Sequence, residues 1–264
     1  MSILQIDKKR IAQSFSLKAA TYSSCATVQT HLVQRICTNL NAVMQKDQLW
    51  ADIGSGPGTL LQCMESIPKH CSLLCLDLAN EPLKLLKEEF PASRIRALRA
   101  DGEHLPLKQG RFDGAVMASM LQWAHSPATL LTESARILKQ NGTLLFSFFL
   151  DGSFKEIYTI RQNHDLPLSA SYPSVDSVCR LLGESGFDSS SVIIDEYTTT
   201  MYYSSAFDAL KSISSIGAAA TGGPLLKRKQ LIALCKEYEA AFGTEKGIPV
   251  TYNAATGKII KANR

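Results

Sequence analysis

The sequence has no apolar run long enough to cross a membrane. Its most apolar stretch, residues 143–150, is far shorter than the roughly 20 residues that a membrane-spanning helix needs. The first ten residues also lack the apolar centre of a signal peptide. We therefore expect a cytoplasmic protein that does not bind a membrane.

Cysteines and basic residues are present but form no binding pattern. The seven cysteines include no CxxC pair, so we expect neither a disulfide framework nor a zinc site, and we assign no metal ligand. The net charge of +4 is modest and the basic residues are dispersed, which argues against a nucleic-acid partner. Two short basic clusters, residues 7–10 and 227–229, are of a kind that usually forms a solvent-exposed face.

A glycine-rich segment is the most informative feature that the chain does have. Residues 49–59 read as an apolar strand that runs through Asp52 into a loop with three glycines at alternate positions. Because glycine has no Cβ, a ligand can lie against the backbone of such a loop. A dinucleotide site more usually has G-x-G-x-x-G, whereas here the third glycine comes one residue early. The spacing therefore favours S-adenosylmethionine over NAD.

Strand-like runs alternate with helical patterns from residue 48 to residue 150. Such alternation is typical of a parallel, doubly wound sheet whose ligand lies at the carboxyl ends of the strands. The strand-like runs are residues 48–53, 72–78, 94–100, 112–119 and 142–149, and the helical patterns are residues 60–66, 81–90 and 127–139. A turn at residues 141–142 precedes the fifth run.

Helices are predicted on both sides of this core. Residues 11–43 have a helical spacing of apolar residues, and we interpret residues 1–47 as helices that cover the cofactor. After residue 150, helical patterns at residues 154–163 and 174–186 come before the β-rich runs 191–201 and 250–262. Ser174 and Gly186 are the expected N-cap and stop of the second helix. Residues 151–264 thus contain the remaining helices and the edge strands.

The overall prediction is an α/β fold with a mostly parallel, seven-stranded, Rossmann-like sheet. The two late β-rich runs form an antiparallel hairpin at its edge, and residues 205–243 between them form a helical insertion. This insertion is expected to lie over the strand ends as a lid for substrate or a carrier.

Acidic residues follow successive strands at the predicted binding edge. Asp77 ends the second run about 20 residues beyond the glycine loop, where an acid that binds ribose hydroxyls is expected. Asp101 follows the third run and could accept the adenine amino group, and Asp52 with Gly54 could hold the methionine end. Alone, each acid is more often a helix cap or a surface carboxylate. The predicted cofactor-binding residues are Asp52, Gly54, Ser55, Gly56, Gly58, Asp77, Leu78, Asp101 and Gly102.

These motifs resemble those of the class I S-adenosylmethionine-dependent methyltransferases over residues 48–150. Over nearly the whole chain, the sequence is similar to the malonyl-acyl-carrier-protein O-methyltransferases of biotin synthesis. The segments that carry this closer resemblance are residues 12–16, 20–22 with Gln29, 120–123, 215–218, 225–231 and 249–252. The resemblance implies methyl transfer from S-adenosylmethionine to the free carboxylate of a malonyl thioester.

This chemistry needs no general base, because a carboxylate is already ionised at neutral pH. Tyr22 is the candidate that closes over the cofactor, and Gln122 and Trp123 are candidates that shape the acceptor pocket; core packing explains Tyr22 and Trp123 equally well. The resemblance also implies an acyl carrier protein as partner. Such carriers are small and acidic, so Lys227, Arg228 and Lys229 in the lid become candidates for docking one.

Other functions stay open at this point. A methyltransferase of the same superfamily that acts on another small molecule would share the loop and the acids. A methyltransferase-like hydroxylase or assembly factor of a membrane complex would keep the cofactor site without this reaction. A NAD-binding protein is disfavoured by the loop spacing, and a binding module without turnover is the remaining alternative.

Overall fold

The computed structural model describes residues 7–91, 93–164, 166, 172–215 and 226–263. Within these residues the chain begins with helices, continues with alternating strands and helices, and ends with two long antiparallel strands. The strands are β1 (Leu49–Ile53), β2 (Ser72–Asp77), β3 (Ile95–Arg99), β4 (Phe112–Ala118), β5 (Leu138–Phe149), β6 (Ile193–Tyr203) and β7 (Ile248–Ile260). The α-helices are α1 (Lys8–Cys25), α2 (Thr27–Val43), α3 (Thr59–Cys63), α4 (Asn80–Glu89), α5 (Pro127–Ile137), α6 (Lys155–Asn163), α7 (Val175–Glu184), α8 (Ala206–Ser215) and α9 (Arg228–Phe242).

The strands form one seven-stranded sheet in the order β3-β2-β1-β4-β5-β7-β6. Strands β1 to β5 are parallel, and β7 runs antiparallel to both β5 and β6. This confirms the predicted mostly parallel sheet with an antiparallel edge pair. The strand order changes direction between β1 and β4, and in open α/β sheets the ligand crevice lies at the carboxyl ends of the strands at that point.

Three local features that the sequence predicted are present in the structure. On α2, the apolar stripe Val28, Leu32, Ile36 and Leu40 is buried against the sheet. The hydroxyl of Ser174 accepts a hydrogen bond from the backbone N–H of Ser177 and so caps α7. Gly186, two residues beyond α7, has φ of +98°, a conformation that favours glycine.

Several element boundaries differ from the prediction, most of all at the start of β5. Strand β5 begins at Leu138 and α5 ends at Ile137, because Leu138 already pairs with Phe112 before the register shifts. The predicted turn is a kink inside this strand, where Asn141 has φ of +60°. Helix α3 ends at Cys63, three residues earlier than its pattern suggested.

The predicted helical insertion contains α8 and α9. Residues 216–225, which carry part of the family resemblance, lie outside the described residues, as do residues 165 and 167–171. No helix within the described ranges combines the length and the apolar character needed to cross a membrane.

Candidate active site

A cleft lies where the carboxyl ends of β1, β2 and β4 meet, and α1 lies over it. Its empty volume is about 800 Å³, including space open to solvent. The cleft brings together most of the residues that the sequence predicted. Those that line it are Tyr22, Gly54, Gly56, Asp77, Leu78, Asp101, Gly102 and Trp123.

Four predicted site residues do not line the cleft. Asp52 lies within β1 at 2% exposure, and Ser55 is also buried. Gly58, with φ of +97°, is the N-cap of α3 and faces Leu86 and Phe90. Gln122 lies in the short 3-10 turn after β4. Among the described atoms, Asp52 Oδ2, Ser55 Oγ and Gln122 Oε1 are buried without a hydrogen-bond partner.

The glycine loop is fixed by hydrogen bonds to β2. The N–H groups of Gly54 and Ser55 donate to the carbonyl oxygen of Leu76, at 2.7 and 2.9 Å. A Cβ on Gly54 would lie 2.6 Å from Met120 Sδ, so the loop and the segment after β4 approach too closely for a side chain. Gly56 has φ of +54°, and no atom lies within 4 Å of the place of its Cβ. The loop therefore presents bare backbone to the open cleft.

Asp77 is oriented by backbone groups of the same region. Its Oδ2 accepts from Gly56 N–H at 2.9 Å and its Oδ1 accepts from Ala79 N–H at 2.8 Å. Burial raises the pKa of Asp77, although these N–H donors lower it. A carboxylate oxygen can accept more than one hydrogen bond, so acceptor capacity remains toward the cleft.

Besides burial, the charge of Asp77 helps to raise the pKa of both Asp52 and Tyr22. Burial, and then the charge of Asp77, raise the pKa of Asp52 to about 7. The same two causes raise the pKa of Tyr22, so its phenol stays neutral and can donate a hydrogen bond at physiological pH.

Three aromatic rings form one wall of the cleft. The Phe15 ring lies 5.9 Å from the Tyr22 ring and 5.4 Å from the Trp123 ring, measured between centroids. Phe15 was not among the predicted site residues, but a signal was present. Lys8, Ile11, Phe15, Ala19 and Tyr22 recur at helical spacing and all line the cleft.

The sequence prediction also missed an ion-pair cluster on the Asp101 side. Lys8 Nζ lies 2.6 Å from Asp101 Oδ2 and 3.0 Å from Glu103 Oε1, and all three residues line the cleft. Asp101 was predicted to accept an adenine amino group, and the structure adds a lysine at the same carboxylate.

Ser119 has an unusual backbone at the end of β4. Its φ is +51°, which is rare for a residue other than glycine. Its N–H donates to the carbonyl oxygen of Ser147 at 2.9 Å and to Ser147 Oγ at 3.0 Å. Strained backbone of this kind concentrates at functional sites, and Ser119 lines the cleft.

These features fit a nucleoside cofactor with an amino-acid end. The bare loop at Gly56 leaves room for a ligand, and the free acceptor of Asp52 lies just behind that loop, where it can compensate an ammonium group. Asp77 and Asp101 line the cleft, so their carboxylate oxygens are placed where hydroxyl or amino groups of such a ligand could donate to them.

Residues 51–146, which include the glycine loop and both of these acids, match the protein family described as methyltransferase domain. The chain is an S-adenosylmethionine-dependent methyltransferase. This methyltransferase is 28% identical to a malonyl-[acyl-carrier protein] O-methyltransferase of Geobacter sulfurreducens, over 96% of this chain and 98% of that protein. It is 28% identical to the Haemophilus ducreyi protein of the same name, over 98% and 99%. It is also 27% identical to a biotin biosynthesis bifunctional protein of Cellvibrio japonicus, which it covers over 49% of that protein's length.

Solved structures support the fold. The methyltransferase superposes on the YcgJ protein of Bacillus subtilis with a TM-score of 0.61 and 16% identity, covering 87% of this chain and 98% of that one. It superposes on an S-adenosylmethionine-dependent methyltransferase of Thermotoga maritima with a TM-score of 0.55 and 15% identity, covering 95% and 99%. At this identity the likeness concerns the fold alone.

Proposed function

We propose that this methyltransferase esterifies the free carboxylate of a malonyl group held as a thioester on an acyl carrier protein. The reaction would be the first step of pimeloyl formation in biotin biosynthesis, and its proposed place is the cytoplasm. The observation that supports this best is the similarity to enzymes of that name from end to end of both chains. The similarity thus extends beyond the methyltransferase domain into the helices and strands around it.

The residues of the cleft suit this reaction. When bound, S-adenosylmethionine supplies a methyl group on a positively charged sulfur. The faces of aromatic rings attract such a cation, and Tyr22 and Trp123 both line the cleft. Because the acceptor carboxylate is ionised at neutral pH, no protein group has to remove a proton from it.

The protein's remaining task is to exclude water and align the reactants. A carboxylate becomes a better nucleophile when its hydration is removed. Holding the carboxylate and the methyl group in line makes a bimolecular step effectively unimolecular. In our proposal, the aromatic wall of Phe15, Tyr22 and Trp123 excludes water on one side. Gln122, whose buried Oε1 has no partner among the described atoms, is proposed to shape the acceptor side.

The proposal assigns a separate task to each part of the chain. Residues 1–47 cover the cofactor, residues 48–150 bind it, and residues 151–264 carry the lid. In the lid, Lys227, Arg228 and Lys229 lie at the start of α9 and are exposed. They are proposed to attract the acidic surface of the carrier, an interaction that salt would weaken.

The deciding experiment supplies purified protein with methyl-labelled S-adenosylmethionine and malonyl-acyl carrier protein. The expected product is a base-labile methyl ester on the malonyl group. Acetyl-acyl carrier protein, which has no free carboxylate, serves as the control acceptor. Absence of ester with the malonyl carrier, in a protein that binds S-adenosylhomocysteine, would indicate a methyltransferase for another small molecule or a methyltransferase-like protein without this reaction.

A charge-reversal pair tests the docking surface. The double variant R228E/K229E is compared with K46E/K69E, which makes the same charge change on exposed lysines of the turns before β1 and β2. Only the first variant is expected to lower kcat/KM, by about tenfold, and only with the carrier substrate, because free malonyl-coenzyme A needs no carrier docking. An equal loss with both substrates, or no loss at all, would contradict this docking surface.

A further inference from the structure

The first helix is fastened to the cleft by a contact between charges. Lys8, the first residue of α1, lies with its Nζ 2.6 Å from Asp101 Oδ2 and 3.0 Å from Glu103 Oε1. The exposed fraction is 26% for the Lys8 side chain and 6% for the Glu103 side chain. The contact can hold the end of the helix in place. Because Lys8 remains partly exposed, added salt weakens the contact, although less than it would weaken a fully exposed pair.

Glu103 extends the contact to the start of α5. Its Oε1 accepts from His125 N–H at 2.6 Å and its Oε2 accepts from Ser126 N–H at 3.2 Å. Ser126 is the N-cap of α5, so Glu103 connects Lys8 with the segment that follows Trp123. A buried carboxylate is costly unless a cation compensates it, and Lys8 provides such a cation.

Lys8 keeps its charge under these conditions. Burial lowers its pKa. Two effects of Asp101 and Glu103, their hydrogen bonds and their charges, raise the pKa by a larger amount, so the net shift is upward. The ammonium group is therefore present throughout the neutral pH range.

Few residues of α1 are buried, so a contact at its end contributes to keeping the helix in place. Among its residues only Ile11 and Ala19 are buried, and Leu17 is 87% exposed. The cleft face of the helix carries Phe15 and Tyr22, which depend on the position of the whole helix. Further along the helix, Lys18 Nζ donates to the carbonyl oxygen of Ser214 in α8.

Asp101 is oriented by the same contact. Its Oδ1 accepts from Glu103 N–H at 3.0 Å while its Oδ2 accepts from Lys8. Both oxygens are thus held in fixed directions, and each keeps a second lone pair for a donor in the cleft.

We propose that Lys8 is a cofactor-positioning residue, which holds α1 closed across the nucleoside end of the cleft and fixes the carboxylate of Asp101 toward the bound ligand. Opening of the helix then requires that Lys8 leave Asp101 and Glu103, which slows the departure of the cofactor. The role concerns binding of the cofactor and holds whichever acceptor is methylated.

The test measures binding and dissociation of S-adenosylhomocysteine, which requires no turnover. In K8M the side chain keeps its length and loses its charge. We expect its dissociation rate to rise about tenfold, the effect of one charge-assisted contact, with little change in the association rate. K8R should restore slow dissociation. K9M is the matched control, because Lys9 is the exposed neighbour and should leave both rates unchanged.

Salt and thermal unfolding separate this role from a structural one. The affinity of the unaltered protein should fall between 50 and 500 mM salt, and K8M should lose most of that dependence. Thermal unfolding of both proteins without ligand shows whether K8M is folded, and the salt response of the unaltered protein tests the proposal without any variant. Tighter binding by K8M would mean that Lys8 competes with the adenine amino group for Asp101. That result, or unchanged dissociation and salt dependence, would overturn the proposal.

Discussion

The Phe15 ring meets the Trp123 ring edge to face, with centroids 5.4 Å apart and ring planes at 90°. The contact joins α1, at the start of the chain, to the 3-10 turn that follows β4. Phe15 also lies against Tyr22. This one side chain therefore contacts both Tyr22 and Trp123, which were predicted from the sequence for different roles. The wall of the cleft therefore depends on how α1 is placed.

Replacing Phe15 by alanine should weaken binding of S-adenosylhomocysteine about fivefold to tenfold. An edge-to-face aromatic pair contributes about 0.5–1.5 kcal/mol beyond its buried area, and its loss frees both Tyr22 and Trp123. Isothermal titration measures the affinity. Leu17→Ala is the control on the same helix, because Leu17 is 87% exposed; a comparable loss there would point to general damage to α1.

Two glycines allow the role of the loop to be separated from backbone strain. Gly56 and Gly110 both have positive φ, +54° and +64°, and both have open space where a Cβ would be. Alanine at either should cost about 1–2 kcal/mol of unfolding free energy, because left-handed backbone is unfavourable for it. Only Gly56→Ala places a methyl group in the cleft, so only it should weaken S-adenosylhomocysteine binding, by tenfold or more. Equal binding by both variants would remove Gly56 from the site.

Asp77→Ala should weaken S-adenosylhomocysteine binding by the free energy of a charged hydrogen bond, about 1.5–3 kcal/mol. Asp113→Ala is the comparison, because Asp113 also accepts a backbone N–H, from Leu49 at 2.9 Å, but near the start of β4. Calorimetry of both variants gives the affinities, and unfolding curves give their stabilities. If Asp113→Ala weakened binding as much, stability rather than ligand contact would explain the effect.

Binding should become weaker as the pH falls below 7. Asp52 has its pKa raised to about 7 by burial and by Asp77, so it takes up a proton as the pH falls through that value. We propose that the ionised form compensates the ammonium of the ligand; the neutral form would not, and affinity should fall about tenfold for each further pH unit. Binding at pH 6 should release a proton, measurable by calorimetry in buffers of different ionisation enthalpy. Asp52→Asn should abolish this release; its persistence would exclude Asp52 as the titrating group.

Much of the fold was predictable because its signals are local. The alternation of strand and helix patterns, the N-cap at Ser174 and the left-handed Gly186 each depend on a few neighbouring residues. The start of β5 was not predictable, because Leu138 becomes part of the strand only through pairing with Phe112. The environment of Asp52 was not predictable either, since its burial depends on the strands on both sides of β1.

The sequence by itself determined the order of the strands along the chain, the bare glycine loop and the presence of acids after successive strands, because periodicity and the absence of a Cβ act within short segments. Only the tertiary structure decided which side chains face the cleft and which charges meet. Lys8 and Asp101 are 93 residues apart, and Phe15 meets Trp123 only because α1 lies over the cleft. Contacts of that kind depend on how separate elements pack, and no local pattern specifies them.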